Sequence, residues 1–144
     1  MLEVKNIGKY YGSKMAIENI SFSAARGQII GLVGHNGSGK TTTMSIITNC
    51  LAPDGGSVMV DGVSAQDDPV KLRSKIGYLP EIPPVYTDMT VNEQLSFACG
   101  LKGLTRGEYE GQIAAACEKL NITGVRGRLI KNLSKGYRQR VGFA

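Results

Sequence analysis

Gly34-His-Asn-Gly-Ser-Gly-Lys-Thr-Thr42 is the most informative stretch of this 144-residue chain. It fits the phosphate-binding pattern G-x-x-x-x-G-K-[ST]. The fixed positions of that pattern are occupied by Gly34, Gly39, Lys40 and Thr41. The mostly apolar residues 28–33 before it predict a buried parallel strand, and residues 42–51 after it have helical spacing. Strand, glycine-rich loop and helix in this order predict an α/β fold of the P-loop NTPase type.

The residue types of this loop suit a bound triphosphate. Glycines let successive backbone N–H groups turn inward, and the following helix directs the positive end of its dipole to the same place. Lys40 supplies a mobile charge for the β- and γ-phosphates, and the Thr41 hydroxyl is a hard oxygen ligand for Mg²⁺. The alternative is a glycine-rich turn without a ligand. The candidate nucleotide-binding residues here are Gly34, His35, Asn36, Gly37, Ser38, Gly39, Lys40, Thr41 and Thr42; His35, the only histidine, is expected to be solvated.

The composition is typical of an ordinary soluble domain with one modest hydrophobic core. The chain is 42% hydrophobic and 20% charged, and no apolar run approaches the roughly 20 residues of a membrane helix. The first residues do not have the pattern of a signal peptide. Three cysteines without C-x-x-C spacing are typical of reduced thiols in a cytosolic protein.

The net charge of +5 is compatible with a nucleic-acid or membrane-surface partner. The alternative is that residues 1–144 simply lack an acidic segment. Most basic residues are scattered, with one cluster between residues 126 and 140. We favour the second explanation and expect no nucleic-acid partner.

Alternating apolar and polar residues predict antiparallel strands on both sides of the loop. Residues 2–7 and 16–23 have this alternation, with a turn predicted at Lys9–Gly12 between them. Residues 57–63 predict a hairpin with Asp61-Gly62 at its tip.

The second half of the chain contains clear helix starts. Residues 67–75 predict a short helix, residues 76–79 a short strand, and residues 80–89, with three prolines, an extended loop. Two capping boxes, Thr90-x-x-Glu93 and Thr105-x-x-Glu108, predict two further helices. Ser134 is typical of the N-cap of a last helix over residues 135–144.

In order along all 144 residues, the chain resembles the nucleotide-binding domain of ABC transporters. Besides the phosphate loop, the similar stretches are residues 2–12, Ile76-Gly-Tyr-Leu-Pro-Glu81 and Leu133-Ser-Lys-Gly-Tyr137. The resemblance implies an ABC-type α/β domain with an antiparallel β subdomain and a helical subdomain. Residues 1–89 would hold the β subdomain, the phosphate-loop core and the Q-loop, and residues 90–144 the helical subdomain and the signature helix.

The resemblance assigns roles to two residues outside the phosphate loop. Tyr11 would stack on adenine, although Tyr10 competes for this role and an exposed turn tyrosine is the alternative. Glu81 stands where the family usually has a Q-loop glutamine, and its carboxylate could contact Mg²⁺ together with Thr41. The alternative for Glu81 is a solvated loop residue. Lys40 and Glu81 would be the catalytic residues present.

Leu133 to Tyr137 resembles the family's LSGGQ signature, with Lys135 and Tyr137 as departures. In the family this surface contacts the γ-phosphate of ATP held by a second subunit. The alternative is an N-capped helix without a ligand. The candidate residues are Ser134, Lys135, Gly136 and Tyr137.

The family pattern continues with an acid-bearing strand, a catalytic glutamate and a switch histidine, and residues 1–144 contain none of them. We therefore expect a C-terminally incomplete domain that binds nucleotide at most. We also expect a gap in the sheet between residues 28–33 and 76–79, which would leave unpaired strand edges.

The intact protein would then be an ATPase that uses ATP and Mg²⁺ to power transport. The resemblance implies a head-to-tail dimer with a second nucleotide-binding domain and a separate transmembrane permease subunit. It also implies a cytoplasmic position at the inner face of the membrane. Two alternatives remain: an ABC ATPase that acts on ribosomes or DNA, and a nucleotide-binding fragment without turnover.

Overall fold

Antiparallel strands dominate the first of two structural units, Met1–Tyr78, and helices dominate the second, Leu79–Ala144. The computed structural model describes all residues from 1 to 144. The sequence-based division at residues 89 and 90 stays a prediction. No helix has the length and apolar character needed to cross a bilayer.

Four strands form one antiparallel sheet in the order β2-β1-β3-β4. The strands are β1 Leu2–Tyr11, β2 Lys14–Ala24, β3 Gly55–Val60 and β4 Val63–Ser64. These strands confirm the predictions for residues 2–7, 16–23 and 57–63. The turn predicted at Lys9–Gly12 was placed too early, because β1 continues to Tyr11 and pairs there with Lys14.

The first helix, α1 Lys40–Ile47, packs its buried face on this sheet. Ile46 and Ile47 of α1 are buried together with one face of the strands. The buried strand residues are Val4, Ile7, Ile17 and Val58. Since burying each such side chain stabilises by about 1.5–3 kcal/mol, this contact fixes the start of α1 relative to β2.

Helix α1 spans Lys40–Ile47 and is shorter than the predicted range 42–51. Asn49 has a left-handed backbone with φ of 55°, which ends the helix. Met44 is 40% exposed, so it does not belong to the buried stripe that its spacing predicts. Thr43 and Ile46 are buried instead.

The predictions of strands at residues 28–33 and 76–79 were wrong, because both segments are irregular. A strand needs a hydrogen-bonded neighbour, and the only sheet of the structure pairs β1 to β4 with one another. Ile29 is 97% and Val33 94% exposed, whereas the prediction had them buried. The apolar pattern is present, but no strand lies beside it.

Helix α2, Pro69–Ser74, ends the first unit, and three longer helices form the second: α3 Val91–Leu101, α4 Arg106–Lys119 and α5 Lys135–Phe143. Both predicted capping boxes are confirmed. The backbone N–H groups of Thr90 and Thr105 each donate at 2.7 Å, to the carboxylates of Glu93 and Glu108 respectively. The buried core of this unit consists of Val91, Leu95, Ile113, Cys117, Ile122, Val125, Ile130, Leu133 and Val141.

The predicted extended loop at residues 80–89 is confirmed, and it packs against α5. A β-carbon added at Gly142 would lie 2.6 Å from the Cβ of Pro83 and 3.0 Å from the Cδ1 of Leu79. Real side chains do not approach this closely, so the small size of Gly142 lets loop and helix meet. This contact places the loop beside α5.

Candidate functional site

The phosphate loop is fastened to β2 at its last glycine. Gly39 is the N-cap of α1 and has φ of 85°, a conformation that favours glycine. An added β-carbon there would overlap with Cγ2 of Ile17 and lie 2.8 Å from the carbonyl oxygen of Ala16. Glycine is therefore required at this position both by its backbone angle and by its neighbours.

The lysine of the loop closes the loop on itself. The ammonium group of Lys40 donates to the carbonyl oxygens of Gly34 and His35, each at 2.7 Å. The N–H group of Ser38 also donates to the carbonyl oxygen of His35, at 3.2 Å. One positive charge is thus held against two backbone carbonyl oxygens of the loop.

The N-terminus of α1 has no side-chain cap and no acidic residue in its first turn. At the starts of the other helices, side chains accept hydrogen bonds from backbone N–H groups. Asp68, Thr90 and Ser134 accept hydrogen bonds from the first turns of their helices, and Glu108 bonds back to Thr105. The orphan N–H groups of the first turn of α1 are left for an anion, and the helix dipole favours one.

Of the three consecutive threonines at the start of α1, only Thr41 is exposed. Thr42 is half-buried, and Thr43 is buried with its hydroxyl unpaired. Nowhere do three acidic, histidine or cysteine side chains come together as a metal site. Most ligands of a metal at Thr41 would therefore be phosphate oxygens and water, as is usual for Mg²⁺ in nucleotide sites.

The aromatic segment Tyr10-Tyr11 is held by an aspartate that the sequence analysis missed. Asp54 accepts from the N–H group of Tyr10 and from the ammonium of Lys9, both at 2.7 Å. The hydrogen bond from Lys9 comes first among the causes that lower the pKa of Asp54. In the sequence, the only indication of a structural role for Asp54 is the turn predicted by Pro53-Asp54.

Tyr11 itself is 55% exposed at the end of β1. Its pairing partner, Lys14, precedes Ala16 by two residues, which is about 7 Å along a strand. Since the Ala16 carbonyl faces Gly39, this end of the hairpin lies beside the phosphate loop.

The remaining predicted site residues belong to the second unit. Glu81 is exposed on the extended loop and lines a cavity of about 370 Å³. Lys135 and Arg138 of α5 line the same cavity. Sequence reasoning missed Arg138, because a basic residue on a basic helix gives no signal of its own.

The signature residues form the exposed start of α5. The Ser134 hydroxyl accepts from the N–H group of Tyr137 at 3.4 Å, which confirms the predicted N-cap. Gly136 is open, since a β-carbon there would meet no atom within 4 Å. The Tyr137 ring is 39% exposed and lies 5.6 Å from the guanidinium carbon of Arg140. This surface offers a hydroxyl, an approachable backbone and positive charge.

Each of the two units therefore contains some of the predicted site residues. The first contains Tyr11 and the whole loop from Gly34 to Thr42, and the second contains Glu81 and residues 134–137. Their roles in binding and catalysis stay predictions.

Several known proteins are similar to this chain. A family model described as "ABC transporter" matches residues 17–144. The linearmycin resistance ATP-binding protein LnrL of Bacillus subtilis is 36% identical over 143 residues, which are 99% of this chain and 46% of LnrL. An uncharacterized ABC transporter ATP-binding protein of Methanocaldococcus jannaschii is 39% identical over 142 residues, 99% of this chain and 50% of that protein.

A solved structure described as the ATP-binding subunit of an ABC transporter matches with a TM-score of 0.87 and 30% identity. The match covers 98% of this chain and 59% of that one. The chain spans about half the length of the curated relatives it matches.

Proposed function

This chain belongs to the family of ABC transporter ATP-binding domains, and from this premise we propose that it is part of the ATP-binding subunit of such a transporter. The intact protein would couple ATP binding and hydrolysis to transport through a separate membrane subunit. That membrane subunit would hold it at the cytoplasmic face of the membrane. No observation favours a ribosome- or DNA-directed ATPase.

The geometry of the phosphate loop carries this proposal. The Lys40 ammonium lies against the carbonyl oxygens of Gly34 and His35, beside a helix start whose backbone N–H groups have no side-chain cap. Both features suit the phosphates of a nucleotide, because phosphate oxygens need donors and positive charge. Family membership supports ATP as the nucleotide, and the loop suits its phosphates.

Residues of the first unit would hold the nucleotide as follows. Backbone N–H groups of the loop and of the first turn of α1 would bind the β- and γ-phosphates, with Lys40 as the mobile cation. The adenine would stack on Tyr11, whose ring is already exposed. Mg²⁺, when bound, would neutralise charge on the phosphates. Thr41 is its ligand in this unit, and we propose Glu81 as a further one.

We propose that a second such domain completes each site in a head-to-tail dimer. The start of α5 would face the γ-phosphate of the ATP that the other domain holds. The exposed Ser134 and Lys135 and the open Gly136 suit this role. The N-terminus of α5 is the positive end of its helix dipole, which also favours the negatively charged γ-phosphate.

Replacement of Lys40 by alanine tests the proposal. It removes the only side-chain cation of the loop, so the affinity for Mg-ATP should fall at least about tenfold, or roughly 1.4 kcal/mol. Calorimetric titration of folded protein measures this, and Lys102→Ala, an exposed lysine of the other unit, is the control. Unchanged affinity for Lys40→Ala, with circular dichroism like that of the parent, would reject the phosphate-loop assignment.

A further inference from the structure

The cavity beside Glu81 combines charges from two elements of the helical unit. The loop contributes Glu81 with apolar Ile82, Pro83 and Val85, and α5 contributes Lys135 and Arg138. One carboxylate therefore faces two cations across a space of about 370 Å³.

One residue of the cavity wall, Arg138, has an unpaired hydrogen-bond donor. The Nε atom of Arg138 is buried and has no hydrogen-bond partner. Within this unit the only ion pair within 4.0 Å joins Lys131 and Asp88, so Glu81 and both cavity cations lack one. A buried donor without an acceptor is destabilising, and such donors in folded proteins normally have a partner.

Glu81 is the one carboxylate on the cavity wall. A space of this volume would be about 9 Å across as a sphere, which is comparable with the Debye length of about 8–10 Å in ordinary buffers. Attraction across it is therefore only partly screened. Both positions also differ from the usual residues of the family. Position 81 has an acid instead of the amide of glutamine, and position 135 has a lysine instead of a glycine.

We propose that Glu81 closes onto Lys135 and Arg138 as a latch that fastens the extended loop to the start of α5. Its carboxylate accepts hydrogen bonds from the Arg138 guanidinium, and its charge is compensated by Lys135. One consequence rests on the function proposed above. The same carboxylate cannot serve Mg²⁺ and the latch together, so Glu81 leaves the latch when nucleotide and metal bind.

Hydrogen–deuterium exchange of the loop amides tests the latch without any nucleotide. Three amides report on the loop, because Val85, Tyr86 and Met89 donate to the Pro83 carbonyl, the Gln94 side chain and the Tyr86 carbonyl. In the purified protein, Glu81→Gln should speed their exchange by about two- to fivefold, the size expected of a partly exposed ion pair. Glu110→Gln, which removes an exposed acid outside the cavity, should leave them unchanged.

Charge reversal separates the latch from a general loss of stability. Glu81→Lys alone places three cations at the cavity and should speed exchange further. Adding Lys135→Glu restores one carboxylate between two cations, and exchange should return towards the parent rate.

A double variant that exchanges as fast as Glu81→Lys alone would overturn the latch, and so would equal acceleration by Glu110→Gln. If the latch fails while Lys40-dependent ATP binding persists, the proposed function stands by itself. If ATP binding fails, the exchange experiment still decides on the latch.

Discussion

Gly39 of the phosphate loop packs so closely against Ile17 of β2 that no β-carbon fits between them. The loop that should hold phosphate is thus fixed to the antiparallel sheet and not only to its own helix. Since Ile17 is itself a buried core residue, the position of the loop is coupled to the packing of the sheet.

Replacement of Gly39 by alanine should destabilise the protein more than replacement of Gly37. Both glycines have positive φ, 85° and 84°, so both variants carry a backbone cost of about 1–3 kcal/mol. Only Gly39 adds a clash, because an added Cβ at Gly37 meets nothing within 4 Å. Urea unfolding of both variants measures the difference. Equal free energies of unfolding would show that the contact with Ile17 contributes nothing.

Substitutions of Glu81 should reveal whether it acts through the metal. In the intact ATPase, Glu81→Gln keeps a side-chain oxygen, so we expect activity to survive. Glu81→Ala removes it, and we expect turnover to fall at least about tenfold, or roughly 1.4 kcal/mol in the barrier. The control is Glu110→Ala, and steady-state ATP hydrolysis is the measurement. If Gln and Ala at position 81 behave alike, Glu81 is only a loop residue.

Acid should remove the stabilisation that Asp61 provides. Hydrogen bonds from the amino terminus of Met1 and then from Arg26 lower the pKa of Asp61 to about 2, from an ordinary value of 3.8. A carboxyl with a depressed pKa stabilises the fold above its unfolded pKa, and this contribution is lost as pH falls from about 3.8 to about 2. The effect should be small, because Asp61 is exposed.

The measurement is urea unfolding between pH 7 and pH 2, and the matched controls are Asp61→Asn and Asp67→Asn. Asp67 is exposed and takes part in no ion pair of its unit. The Asp61→Asn variant should lose less stability than the parent below about pH 4, whereas Asp67→Asn should follow the parent. Parallel curves for all three proteins would contradict the role of Asp61.

A protein that consists of residues 1–144 alone should bind Mg-ATP without hydrolysing it. Phosphoryl transfer needs a residue that orients the attacking water and further carboxylate support for the metal. No cluster of three candidate metal ligands exists among these residues. A phosphate-release assay checks this, with the Lys40→Ala variant as the blank. Turnover that depends on Lys40 would refute the expectation.

The sequence by itself determined those features that depend on residues close together along the chain. The phosphate loop, the Asp61-Gly62 hairpin and the helix starts at Thr90, Thr105 and Ser134 were all predicted. Each depends on residues no more than about nine positions apart, so a linear pattern contains the necessary information. Family membership followed from the same patterns in their order along the chain.

Only the tertiary structure decided which distant segments meet. The apolar residues 28–33 are a good strand pattern, yet they form no strand here, because a ladder needs a partner that periodicity cannot supply. The hydrogen bond from Tyr10 to Asp54 spans 44 positions, and Glu81 and Arg138 line one cavity although they are far apart in the chain. Such contacts depend on how whole elements pack, and packing is a property of three-dimensional neighbours that spacing along the chain does not encode.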